Sequence, residues 1–140
     1  MKRASAPDLL FGSVGFASYG GRINTVATDA TAFPHRDAVM RIQYTAAWAD
    51  PTLDGRYVDW LRRLYREIYA GTRGVPDPRD GAYINYPDDD MADPAVNTSG
   101  VPWSTLYYKG NYPRLQRVKA TWDPKNIFSH TLGIEAPDGA

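Results

Sequence analysis

The chain has 140 residues, 43% of them hydrophobic, and its 16 basic side chains balance 16 acidic ones. This length predicts one compact core, and the neutral charge argues against nucleic acid or an anionic membrane as the main partner, because both bind basic surfaces. With no cysteine present, disulfides, thiolate catalysis and Cys-ligated zinc are excluded. No apolar run approaches the ~20 residues of a membrane span. Lys2 and Arg3 are not followed by the long apolar stretch that a signal peptide has. We therefore expect a cytoplasmic protein.

Two strands are predicted in the first third of the chain. Residues 9–16 are apolar and interspersed with glycine, which is typical of a short buried strand. Residues 39–48 alternate with a period of two, so that Tyr44 and other apolar residues fall on one face while Arg41 and Gln43 fall on the other. We expect the apolar face to pack in a core and the other to face something polar.

A helix is predicted to follow the second strand. Asp50 is a candidate N-cap, and Pro51 suits the first helical position. Between Tyr57 and Ile68, apolar residues recur at steps of three and four, which is the pattern of an amphipathic helix. The glycines within residues 71–74 predict its end.

The C-terminal half is predicted to be less regular. Residues 82–86 have the length and composition of a short strand. A second helical region begins near Trp103, is interrupted at Gly110 and Pro113, and ends at Asp123, which precedes a proline. The predicted architecture is α+β, an antiparallel sheet covered by helices.

Few residues indicate chemistry by themselves. The carboxylates of residues 88–90 could bind a hard cation, but they lack the alternating spacing of a calcium loop, so a solvated turn is the better interpretation. His35 and His130 have no constellation of Asp, Glu or Cys nearby and are better interpreted as structural or exposed. The ten tyrosines and four tryptophans could form a wall around a planar ligand or an ordinary core. In the predicted strand, Tyr83 and Tyr86 would point to opposite faces.

Several pieces of the sequence together resemble one known family. In chain order they are Tyr19-Gly20-Gly21-Arg22-Ile23, Phe33-Pro34-His35-Arg36, Ile42-Gln43-Tyr44, Trp60-Leu61-Arg62-Arg63-Leu64-Tyr65, Ala82-Tyr83-Ile84-Asn85-Tyr86, Tyr107-Tyr108-Lys109-Gly110-Asn111-Tyr112 and Asp123-Pro124. In this order they resemble the C-terminal part of the berberine bridge enzyme-like family of FAD-linked oxidases, over about residues 16–134. The resemblance implies that residues 1–75 are part of a substrate-binding sheet with its helix, and that residues 76–140 are a berberine-like C-terminal segment.

The resemblance also implies a reaction, in which a substrate hydroxyl is oxidised by hydride transfer to FAD while a side-chain base takes the hydroxyl proton. The implied catalytic residues are Tyr86 and Gln43, and the residues implied at the flavin are Asn85 and Tyr83. Tyr19 is implied at the substrate, and Arg41 is also predicted there, from its place on the same strand face as Gln43 and not from the resemblance. No metal ligand is implied. Because a free phenol titrates near pH ~10, a tyrosine base needs a stabilised anion, and Arg41 could supply that charge to Tyr86.

A partner is implied as well. In the family, the main FAD-binding part precedes this segment, and its pyrophosphate-binding loop is not found in these residues. We therefore expect most contacts to FAD to come from a missing FAD-binding domain or subunit, with the chain a fragment, a split-gene product or an inactive remnant. Two functions stay open: the C-terminal portion of an oxidase acting on a sugar or natural product, or a non-catalytic module that binds a small molecule or docks to a partner.

Overall fold

The computed structural model describes residues 8–137. Its elements are β1 (Phe11–Ser18), β2 (Met40–Ala47), α1 (Asp54–Ile68), α2 (Trp103–Tyr108) and α3 (Tyr112–Trp122), with short 3₁₀ turns between them. The two strands pair antiparallel, from Phe11 opposite Ala47 to Ser18 opposite Met40. The predicted α+β fold is confirmed, and β1 begins two residues later than predicted.

A capped 3₁₀ turn precedes α1, so the α-helix begins at Asp54, later than the start predicted at Asp50 and Pro51. The Asp50 carboxylate accepts a hydrogen bond from the Thr52 amide at 2.9 Å, and Pro51 opens a 3₁₀ turn that leads into the helix. The helix ends at Ile68, shortly before Arg73 and Gly74 take left-handed backbone angles. A 3₁₀ turn over Ala70–Thr72 prolongs the right-handed path after α1, and the left-handed Arg73 and Gly74 end that path within the stretch where the glycines predicted the helix end.

The two C-terminal helices are separated where the sequence predicted a break. A 3₁₀ turn over Lys109–Asn111 contains Gly110. The prediction that Pro113 interrupts the helical region was wrong, because Pro113 lies in the first turn of α3. At that position the missing amide hydrogen costs no hydrogen bond.

The strand predicted over residues 82–86 was also wrong. The Ala82 amide donates to the carbonyl of Leu106 at 2.9 Å, and the Tyr86 amide donates to the carbonyl of Tyr83 at 3.0 Å, which closes a turn. The backbone hydrogen bonds of this segment are therefore made to α2 and within the turn. Tyr83 and Tyr86 consequently lie side by side, with ring centroids 5.6 Å apart, instead of pointing to opposite faces.

The buried core lies beneath the C-terminal half of the described chain and not beneath the sheet. Its buried members are Val75, Met91, Leu106, Tyr107, Tyr108 and Leu132. The prediction that the apolar face of residues 39–48 packs is only partly right: Tyr44 contacts α1, whereas Met40 and Ile42 are exposed. The prediction that residues 9–16 form a buried strand was wrong about burial, because Phe16 is 68% exposed. No helix within residues 8–137 is long and apolar enough to cross a membrane.

Candidate functional site

An open groove of about 1000 Å³ runs between β2, α1 and the turn at residues 82–90. All six site residues predicted from the sequence line it: Tyr19, Arg41, Gln43, Tyr83, Asn85 and Tyr86. The roles predicted for them remain predictions, but the structure brings the side chains together from three separate parts of the chain.

The centre of the groove is a cluster of one arginine and two tyrosines. The guanidinium carbon of Arg41 lies 4.9 Å from the ring centroid of Tyr83 and 4.9 Å from that of Tyr86. Such contacts stabilise by about 0.5–2 kcal/mol, depending on how far water is excluded. The Nε atom of Arg41 is buried and has no hydrogen-bond partner among the described residues. The cluster therefore has a fixed positive charge and a spare donor.

Further side chains hold Tyr83 in place. The amide nitrogen of Asn85 donates to the Tyr83 hydroxyl at 2.7 Å, and the ring of Phe33 meets the Tyr83 ring edge-on at 6.0 Å. Phe33 also contacts Tyr19 at 5.9 Å. Burial raises the pKa of Tyr19, while the charge of Arg41 opposes that rise. Tyr86 is 50% exposed and lies at the mouth of the groove.

Three further tyrosines form a second aromatic cluster in the lining of the groove. Tyr44 on β2 contacts Tyr65 at 5.5 Å and Tyr69 at 6.2 Å, and its hydroxyl lies 3.5 Å from that of Tyr69. Burial raises the pKa of both Tyr44 and Tyr65, so these phenols stay neutral. Sequence reasoning placed Tyr44 on a strand face and Tyr65 in a helix stripe, and it did not consider Tyr69. The high tyrosine content was the signal that pointed to an aromatic wall.

The acidic residues 88–90 have structural partners. The Asp88 carboxylate accepts from the Asp90 amide at 3.1 Å, and Asp90 forms a bidentate ion pair with Arg62, with both distances at 2.6 Å. Burial raises the pKa of Asp88. Among the described residues, no group of three or more His, Asp or Glu side chains could hold a metal ion. The triplet caps a turn and ties it to α1.

Sequence reasoning missed His35 as a groove residue. The side chain is only 5% exposed, and its Nε2 atom lies 3.1 Å from the carbonyl oxygen of Tyr107. Burial, followed by the nearby charge of Lys109, lowers the pKa of His35. An isolated histidine in a loop gives no sequence signal for this, because the partner carbonyl is 72 residues away.

The family model described as berberine and berberine like matches residues 82–135. This chain corresponds to the C-terminal part of the berberine bridge enzyme-like FAD-linked oxidases. It is 50% identical over 139 residues to the aclacinomycin-N/aclacinomycin-A oxidase of Streptomyces galilaeus, covering 97% of this chain and 26% of that protein. It is 36% identical over 126 residues to the hexose oxidase of Chondrus crispus, covering 83% of this chain and 23% of the relative.

Solved structures agree with this family. A structure of aclacinomycin oxidoreductase superposes with a TM-score of 0.86 at 50% identity, covering 97% of this chain and 28% of that one. A glycopeptide hexose oxidase complexed with teicoplanin superposes with a TM-score of 0.82 at 54% identity, covering 89% of this chain and 26% of that one. The predicted resemblance is thus confirmed, and the chain spans about a quarter of the length of these relatives.

The groove residues fit the ring end of a flavin. Tyrosine side chains offer apolar walls to a planar ring, and the unpartnered Arg41 Nε is a donor that a ring oxygen would satisfy. The pyrophosphate end needs backbone amides in a glycine-rich loop. The sequence contains no such loop, so the fit covers only one end of FAD.

Proposed function

We propose that this chain is the C-terminal portion of an FAD-dependent oxidase that oxidises a hydroxyl group of a sugar or natural-product substrate. The observation that carries the proposal is the Arg41 guanidinium placed 4.9 Å from the rings of both Tyr83 and Tyr86. The names of the relatives, a hexose oxidase and an aclacinomycin oxidase, support the substrate class.

In this proposal, Tyr86 is the base. A bound flavin supplies the hydride acceptor. The phenolate oxygen of Tyr86, a residue half-exposed at the groove, accepts the proton of the substrate hydroxyl and becomes a neutral phenol, and the positive charge of Arg41 stabilises the phenolate before the transfer. The Asn85 hydrogen bond keeps Tyr83 beside Arg41. The side chain of Gln43 lies on the same face of β2 as that of Arg41, because the two residues are two positions apart in the strand. Its amide can orient the substrate by hydrogen bonds.

The remaining FAD contacts are proposed to come from a separate FAD-binding domain or subunit. The relatives are about four times as long as the matched segment, and the described surface exposes large apolar side chains, including Trp122 at 83% and Phe128 at 80%. Exposed apolar patches are typical of docking surfaces. The same exposure also favours the second candidate function, a module that docks to a partner without taking part in catalysis.

A chimera distinguishes the two functions. In the aclacinomycin-N/aclacinomycin-A oxidase of Streptomyces galilaeus, the matched segment is replaced by this chain, and flavin bleaching by that enzyme's substrate is followed anaerobically by rapid mixing. We expect the chimera to bleach its flavin and Tyr86→Phe to slow bleaching roughly 10²–10⁴-fold, which is the usual contribution of general base catalysis. A chimera that retains FAD and is never bleached would favour the docking module.

The matched control is Tyr69→Phe, which removes the hydroxyl of a groove tyrosine whose ring contacts Tyr44 and Tyr65 and which should leave the bleaching rate unchanged. Tyr83→Phe is not a neutral control, because it removes the hydroxyl that accepts a hydrogen bond from Asn85 beside Arg41. Equal rates for Tyr86→Phe and Tyr69→Phe would remove Tyr86 from the role of base.

A further inference from the structure

His35 lies where three segments that shape the groove meet. It belongs to the irregular loop between the strands, its Nε2 reaches the carbonyl of Tyr107 at 3.1 Å, and its ring lies against Gly81. A carbonyl oxygen can only accept, so Nε2 carries the hydrogen and donates. One imidazole thus joins the loop, the end of α2 and the start of the segment that carries Tyr83.

The fit between His35 and Gly81 is too close for any other residue at position 81. A Cβ atom there would lie 2.3 Å from Cε1 of His35 and 2.5 Å from the carbonyl oxygen of Leu106. The neighbouring Ala82 amide donates to that same carbonyl at 2.9 Å. The backbone is therefore fixed two residues before Tyr83, on one side by the imidazole and on the other by α2.

His35 reaches Tyr83 by a second route. Phe33, two residues earlier in the loop, lies 5.4 Å from the His35 ring and 6.0 Å from the Tyr83 ring. Displacing His35 would free both the backbone before Tyr83 and the ring beside it. Since Tyr83 and Tyr86 are joined by a turn hydrogen bond of 3.0 Å, the position of Tyr86 depends on the same anchor.

We propose that His35 is a positioning residue: its hydrogen bond to the Tyr107 carbonyl and its contact with Gly81 hold the turn of residues 83–86 against Arg41. The inference builds on the proposed function, in which Tyr86 and Arg41 act together. His35 itself takes no proton in that reaction. Its role is to set the distance between the base and the cation.

Hydrogen exchange measured by mass spectrometry on the 140-residue chain tests this role. The amides of Ala82, Tyr86 and Asp88 are all hydrogen-bonded in the structure. His35→Leu removes the donor, so we expect exchange in peptides covering residues 81–88 to accelerate about fivefold, the change in open population for losing one buried hydrogen bond. Exchange in α1, which contains the buried Tyr57, should stay unchanged.

Two further variants complete the experiment. His35→Gln keeps an N–H donor and should restore slow exchange over residues 81–88. His130→Leu removes the only other histidine, which is exposed, and should leave that region unchanged. The proposal is overturned if His35→Leu leaves residues 81–88 unchanged, if it accelerates α1 equally, or if His35→Gln exchanges as fast as His35→Leu. The readout involves no oxidation, so its failure is separate from a failure of the proposed activity.

Discussion

Replacing Gly81 with alanine gives a stability change whose size can be worked out from the structure. Gly81 has a φ of +73°, a region that costs a residue with a side chain about 1–2 kcal/mol. The added Cβ would also lie 2.5 Å from the carbonyl oxygen of Leu106, a backbone atom that cannot swing away. Overpacking of this kind costs about 1–3 kcal/mol. The sum is about 2–5 kcal/mol, a large share of the 5–15 kcal/mol that stabilises a typical domain.

Gly100 offers the matched control. Its φ is +83°, but a Cβ atom there would meet nothing within 4 Å. Gly100→Ala should therefore cost only the backbone part, about 1–2 kcal/mol. The difference between the two variants isolates the steric contact with His35 and Leu106.

Urea unfolding followed by tryptophan fluorescence measures both costs. With a slope of about 1–3 kcal/mol per molar urea, Gly81→Ala should unfold at clearly lower urea than Gly100→Ala, and both below the natural chain. If the two alanine variants unfolded at the same urea concentration, the close packing of His35 and Leu106 around position 81 would be refuted.

Three other predictions concern the 140-residue chain. Because no glycine-rich phosphate loop occurs in the sequence, the purified chain should be colourless after desalting; a stoichiometric yellow chromophore would contradict this. Because Phe16, Trp122 and Phe128 are 68%, 83% and 80% exposed, light scattering should detect self-association, and a stable monomer at high concentration would argue against a docking surface. Hydrogen bonds from Lys119 and then from the Ile127 and Phe128 amides lower the pKa of Asp123. The Asp123 carboxylate therefore contributes fully to the free energy of unfolding above the unfolded-state pKa near ~4, and this contribution is lost as the pH falls from there through the lowered pKa of the folded state. Asp123→Asn should therefore lower the melting temperature at pH 7, and the difference in melting temperature from the natural chain should narrow in acid. A difference in melting temperature that does not change with pH would contradict the lowered pKa.

Secondary-structure elements that are determined by neighbouring residues were predictable from the sequence. The alternation of residues 39–48 predicted β2, and the pairing of Asp50 with Pro51 marked the 3₁₀ turn that leads into the first helix, which begins at Asp54. A period of two and a capping carboxylate act within a few residues, so no knowledge of distant partners is needed. The family resemblance was likewise carried by residue order and spacing, and together with the strand-face position of Arg41 it predicted the six site residues.

Tertiary structure alone decided how those residues meet. Residues 82–86 have the composition of a strand, but their backbone groups bond to Leu106 and within a turn, so Tyr83 and Tyr86 share Arg41 instead of facing apart. His35 became part of the site through a carbonyl 72 residues away. Long-range hydrogen bonds and close packing leave no periodic trace in the sequence, because they depend on where the rest of the chain places the partner.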